Sequence, residues 1–347
     1  GQEWKIDNSG TLKKAVGVIN GSEGGAWKKL KAAVAAAQDG DIIKISGEVK
    51  ATNGSSGDNR GVINITKNIT IERAAGAPTA VLNANRSSLG TNAHPIFRVS
   101  GGKTLTLKNL TLTGGKGISG TFGGAINVTG GLSKAELTDC IIEDCTADKG
   151  GAIGCGKGGT VKLTNTTIKK CKASGSGSDS GGGAIFASGA TVEMTGCTLT
   201  GNKADKGGGA IYAVKNGSTQ SNVTISGGTI GGTGAGEPNK TIGPSGMGGG
   251  IYIGANTTVT LQNDAQIIGN TAKNGGGVYI EIGTFKMKGS SRITPSTGGD
   301  ANKPGKNDVY LKDGAKITVD DILSPEGGTA ARITVADGQY QESTQVL

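Results

Sequence analysis

Five aromatic residues in this 347-residue sequence recur in one context, and they are the side chains best placed to meet a ligand. Phe186, Tyr212, Tyr252, Tyr279 and Tyr310 directly follow Ile185, Ile211, Ile251, Val278 and Val309. They account for more than half of the chain's Phe and Tyr. In an extended strand successive side chains point to opposite faces. If the branched residue and the residue two further on face inward, the five rings face outward, one above another. An outer column of rings is a platform for sugar rings or for a protein partner. The same column can instead simply stabilise a sheet face through cross-strand pairing.

Catalytic groups are harder to find. Cleaving a glycan requires two carboxylates at a defined separation, or acidic calcium ligands with a basic proton acceptor. The densest acidic stretch, "TDCIIEDCTADK", carries Asp139, Glu143, Asp144 and Asp148. The equivalent positions of neighbouring repeats are mostly Lys, Thr, Gly or Asn, so no acidic patch builds up. No arginine falls between Arg98 and Arg292, and His94 is the only histidine. "NAHPIF" makes His94 a turn residue rather than a base. The five cysteines, Cys140, Cys145, Cys155, Cys171 and Cys197, form no CxxC, and with one histidine they predict no zinc site. Cys145 aligns over Cys171, then over Asn202 and Asn270 in the same slot. Adjacent coils are close enough for a disulfide there, but the odd count fits small buried thiols better. The asparagines are expected to satisfy turn backbone groups as an amide ladder. Calcium-binding nonapeptides and phosphate loops are absent. The reading is therefore no catalytic residue, no metal and no cofactor.

The formal charge of +9, mostly lysine, permits attraction to acidic glycans, anionic lipid or nucleic acid. The densest clusters, "KKLK" (28–31) and "KKCK" (169–172), lack the interleaved aromatics of a nucleic-acid groove. No nucleic-acid partner is expected. No 18-residue apolar run is present, so no membrane span is expected.

What must position the rings is a repeat. "GGAINV", "GGAIGC", "GGAIFA", "GGAIYA", "GGGIYI" and "GGGVYI" return with their branched residue at Ile126, Ile153, Ile185, Ile211, Ile251 and Val278. Val309 continues the series, with spacings of 27, 32, 26, 40, 27 and 31. Repeats of this size mean a solenoid. Within them "TVKLT", "TVEMT", "NVTIS" and "TVTLQ" alternate apolar and polar residues, which is strand periodicity. A third apolar beat follows at Ile142, Ile168, Leu199, Ile230 and Ile267. Each repeat reads strand, turn, strand, turn, strand, turn. Glycine fits because sharp corners need positive φ. The predicted fold is all-β, a single-stranded right-handed parallel β-helix of about ten coils. Val128, Cys155, Ala187, Ala213, Ile253 and Ile280 form its second inner ladder.

Residues 26–47 start helical, with Trp27, Leu30 and Val34 on one face, and then enter a strand. This segment is expected to cap the open end of the solenoid. Less regular coils follow over 48–122, regular ones over 123–320 and terminal strands over 321–347, in one domain.

The cap, "IFRVSGGKTLTLKNLTL" and the repeated GGA-Ile resemble bacterial right-handed parallel β-helix surface proteins. The nearest pattern is the passenger repeat of the polymorphic outer-membrane proteins. That family pairs GGA-[Ile/Leu/Val] with Phe-x-x-Asn. Here "LTGN" and "IIGN" keep the Asn, "IEDC" and "IKKC" replace it with Cys, and the Phe is absent. The resemblance covers roughly 26–320 and implies adhesion and surface display rather than catalysis. The expected protein is exported, extracellular or at the cell surface, and non-enzymatic: an adhesin or a stalk. Its expected partner is a host or bacterial surface glycan or protein. It is expected to be a monomer or one module of a longer chain. The alternative is a polysaccharide lyase or glycoside hydrolase. The insertions at 174–181, 234–246 and 298–307 all precede the branched residue, so they are expected at one corner beside the rings.

Overall fold

A computed structural model describes residues 3–6, 12–53, 59–120, 122–177, 179–294, 309–312, 315–325 and 328–335. Apart from an opening antiparallel pair, Glu3–Ile6 with Leu12–Asn20, the named strands pair in parallel. The chain is a parallel β-helix. The four coils between residues 126 and 250 each supply one strand to each of four walls, as the coil from residue 126 illustrates. Ile126–Val128 belongs to the first wall, Lys134–Thr138 to the second, Ile141–Glu143 to the third and the short Thr146–Ala147 to the fourth. Among the described residues the first wall is a sheet of ten strands. The second and third are joined through Ile42–Lys50, which pairs within both.

Register explains why the repeat works. Ile126, Ile153, Ile185, Ile211, Ile251, Val278 and Val309 are stacked partners. Among the described residues the column begins earlier, at Ile63 and Phe97, and runs on to Ile333. The coils between 48 and 122 therefore keep the columns of the later ones. Their irregularity lies in connections such as the short helix Arg86–Leu89. The third beat stacks as read, with Ile142, Ile168, Leu199, Ile230 and Ile267 in one column. These columns form one apolar cluster from Trp27 to Ile317, a core that is thin but continuous along the axis.

The first glycine of each motif has φ between 57° and 75°, and a Cβ there would lie 2.0–2.3 Å from the carbonyl oxygen of the branched residue. Only glycine fits that corner. Between the second and third walls the corner is also left-handed, built from Asn109, Asp139, Asn165, Gly196, Gly227 and Asn263. Asn and Asp tolerate this conformation better than other side chains.

Helix Ala26–Ala36 buries Ala26, Trp27, Leu30 and Val34. It packs against Leu12–Asn20, Ile42–Lys50 and Ile63–Ile65. Trp27 Nε1 donates to the Gly61 carbonyl at 2.9 Å. No helix of the described residues is long and apolar enough to cross a membrane.

Candidate functional site: the aromatic ladder

Phe186, Tyr212, Tyr252, Tyr279 and Tyr310 are direct register partners on the first wall. From Phe186 onward, successive ring centroids lie 5.7, 4.3, 5.5 and 5.2 Å apart, with interplanar angles of 18°, 4°, 5° and 6°. The parallel register dictates this: identical positions recur at the inter-strand distance of about 4.8 Å, close to the stacking distance of flat rings.

The expectation of an exposed platform is corrected. Relative exposure is 2% for Phe186, 4% for Tyr212 and Tyr252 and 7% for Tyr279, and only Tyr310 is half-buried. Each inner ring has both faces against its neighbours, so none presents a face to a sugar. The edges are covered by the residues just before each GG pair. Gly181, Gly207, Met247 and Asn274 bridge in parallel alongside the ladder. At Gly181 a Cβ would sit 2.2 Å from Tyr212 Cδ2, so the backbone itself is the cover.

The ladder also has a sixth ring that its spacing does not announce. In the column below Phe186 stands Gly154, and Phe122 takes the vacant space. A Cβ on Gly154 would fall 2.1 Å from Phe122 Cβ. Phe122 packs on Phe186 at 5.0 Å, tilted by 45°. Lys149 Nζ lies 5.8 Å from the Phe122 centroid and 5.3 Å from that of Phe186. It also faces Asp179 at 3.8 Å. The sequence clue was a glycine where the column calls for an aromatic, with a phenylalanine just before the preceding GGA.

At the other end the hydroxyls connect to charge. Tyr252 donates to Glu281 Oε2 at 2.5 Å, and Lys312 Nζ donates to Glu281 Oε1 at 3.0 Å. Burial raises the phenol pKa of Tyr212, Tyr252 and Tyr279 above the ordinary value. Burial also works to raise Glu281, but the Tyr252 hydrogen bond and Lys312 outweigh it and hold the carboxyl below its usual range. These phenols stay protonated at neutral pH. The chemistry of the ladder is cohesion.

The other candidate groups are also engaged in structure. Glu143 pairs with Lys169 at 3.1 Å. Asp148 accepts from the Gly120 amide at 3.2 Å, and Asp139 from Asn165 Nδ2 at 3.3 Å. Among the described residues no group of three His, Cys, Asp or Glu could hold a metal ion. His94 packs on Trp27 at 5.4 Å, and its Nδ1 contacts the Pro95 carbonyl at 2.7 Å. Its Nε2 is buried without a hydrogen-bond partner.

All five cysteines are free and buried. Burial pushes the Cys140 thiol up to about 11 and Cys155 up to about 12. Cys171 is also raised, by burial first and then by its contact with Cys145. Above this pair runs the amide ladder, which includes Asn239 between Asn202 and Asn270. Asn239 Oδ1 accepts from the Asn202 amide at 3.0 Å and from Asn202 Nδ2 at 2.9 Å. Asn270 Oδ1 repeats both bonds one coil on, with Asn239 as donor. Asn239 escaped the sequence reading because extra residues in its coil moved it out of alignment.

Those extra residues also correct the expectation of three insertions at one corner. Stretch 174–181 does lie between the fourth wall and the ladder. The coil with the 40-residue spacing instead divides its surplus among three corners. Part forms a tight loop at 215–220, closed by the Asn216–Thr219 bridge. Part lies at 232–239, before Lys240–Thr241, and the rest lies after it. Stretch 298–307 lies outside the described residues.

No protein family matches the chain, and no curated protein matches it. Among solved structures it is similar to one titled "Geobacillus virus E2 - ORF18", at 13% identity and a TM-score of 0.37. That similarity covers 96% of this chain and 66% of that chain.

Proposed function

We propose that this chain is a non-enzymatic, exported bacterial surface protein, an adhesin-like or structural stalk whose long side walls meet a glycan or protein partner. The observation that carries the reading is how its reactive side chains are used. The rings stack on those of neighbouring coils, the amides of Asn202, Asn239 and Asn270 and the carboxylates of Asp139, Glu143 and Asp148 bond from coil to coil, and the Cys171 and Cys197 thiols reach carbonyls of the coil before. What this arrangement supplies is a stiff rod, roughly 45 Å long for ten strands stacked about 4.8 Å apart. The motif resemblance to passenger repeats of polymorphic outer-membrane proteins supports the same reading. Contact through the ladder itself falls to the hydroxyl edge at its Tyr279–Tyr310 end, where burial relaxes. The test is incubation with a panel of acidic and neutral polysaccharides. No new reducing ends and no unsaturated products are expected, and either product would overturn the non-enzymatic assignment.

A further inference from the structure

One column on the outside of the rod opposes cohesion. On the fourth wall Lys172, Lys203 and Lys240 are direct register partners on three consecutive coils. Bridges continue the wall from Lys240 to Thr271 at one end, and pair Lys116 with Thr146 at the other. Like charges directly opposite in a sheet are destabilising. Here three ammonium groups are carried on backbones only about 4.8 Å apart. Lys172 is offset by Asp205 at 3.6 Å. Lys203 and Lys240 are exposed and have no acidic partner among the described residues. Lys170 adds another exposed cation at the adjoining corner. Next to that corner the third wall carries Lys169, held by Glu143, and Thr200, and the hydroxyls of Thr167, Thr198 and Thr229 form a second column two positions before theirs.

We propose that this stripe binds an acidic polysaccharide, laid along the rod with its carboxylates over Lys172, Lys203 and Lys240. A polymer with regularly spaced negative charge relieves the repulsion that the register imposes, and the threonine hydroxyls suit the sugar hydroxyls. Nucleic acid fits less well. Base stacking needs open aromatic faces, and the rings of this rod are closed in the ladder. Planar, bidentate phosphate recognition favours arginine, and none lies between Arg98 and Arg292. The inference rests on the non-enzymatic reading only in taking the polymer as a ligand rather than a substrate.

The experiment is titration with oligogalacturonate at low salt. Three proteins are compared: the native chain, Lys203→Thr with Lys240→Thr, and a control with Lys157→Thr and Lys215→Thr. Threonine already occupies this column at Thr146 and Thr271, so the stripe variant is expected to fold. The control removes the same charge from exposed positions elsewhere. The stripe variant should bind roughly three- to tenfold more weakly, and the control like the native chain. Native binding should fade as NaCl rises from about 0.05 to about 0.5 M. No binding by the native chain, equal weakening by the control, or tighter binding of a single-stranded oligonucleotide at the stripe each overturns the proposal. Binding accompanied by cleavage of the oligogalacturonate would retain the stripe and overturn the non-enzymatic reading instead.

Discussion

Replacing Tyr212 with alanine tests whether the ring column is cohesion or display. Tyr212 is 4% exposed, with Phe186 stacked on one face at 5.7 Å and Tyr252 on the other at 4.3 Å. Truncating a buried aromatic costs about 3–5 kcal/mol, and each stacked pair adds about 0.5–1.5 kcal/mol to what area alone supplies. The column lies on the outer face, so water can enter part of the void, and the low end of about 3 kcal/mol is expected. If the chain unfolds as one unit, its entropy of unfolding converts this into a fall in Tm of roughly 4 °C. Thermal unfolding followed by circular dichroism measures it. A double-mutant cycle then separates stacking from general burial. Tyr212→Ala with Tyr252→Ala should show a coupling of about 0.5–1.5 kcal/mol, while Tyr212→Ala with Tyr310→Ala should be additive. An unchanged Tm, or equal coupling for the near and distant pairs, would refute the argument and return the rings to the role of an open binding face.

Two further outcomes follow from buried polar groups. Burial lowers the His94 pKa, with Lys31 and Arg60 adding to the effect against the Pro95 hydrogen bond. The folded chain then binds fewer protons than the unfolded one below pH 6.5, so stability should be lost as pH falls through that region. His94→Asn should flatten the dependence of Tm on pH between about 7.5 and 5.5; an unaltered slope would contradict it. In the amide ladder, Asn239→Ala removes the acceptor of the Asn202 amide and the donor to the Leu199 carbonyl, which is 2.8 Å away. Each buried group left unsatisfied costs about 1–3 kcal/mol, so this variant should lower the denaturant midpoint clearly more than Asn222→Ala on the outer face. Equal midpoints would show that the ladder is not a source of cohesion.

The register of the rings was legible because strand alternation and repeat spacing are local properties of the chain. Tyr212 must stack on Tyr252 once Ile211 stacks on Ile251. Burial of the rings was not legible, because their cover comes from the other side of a corner, through Gly181, Gly207 and Met247. The tell-tale was indirect: glycine at 181 and 207, where a side chain would strike the Tyr212 ring. Asn239 and the divided insertion were lost for a related reason. A linear alignment places surplus residues in one block, whereas the solenoid accommodates them at any corner that keeps the columns intact. The lysine column was visible only in fragments, as "KKCK" and as isolated lysines, until the fourth wall brought Lys172, Lys203 and Lys240 into register.

A chain that is only 34% hydrophobic and carries 66 glycines can still hold a rod because cohesion here is counted by column rather than by volume. Each column joins like to like: branched residues inside, rings on the first wall, amides and thiols at a corner. In a solenoid such nearest-neighbour contacts carry most of the stability. Where a column is interrupted, the structure repairs it, as Phe122 does over Gly154. Where charge would repel, opposite charges alternate, as at Lys162 and Glu193, which are register partners 3.0 Å apart. Against that pattern the run Lys172, Lys203, Lys240 is an exception, since stacking like on like there weakens the rod. A column that costs stability in the isolated chain and faces solvent along its length is what the proposed acidic polysaccharide would offset.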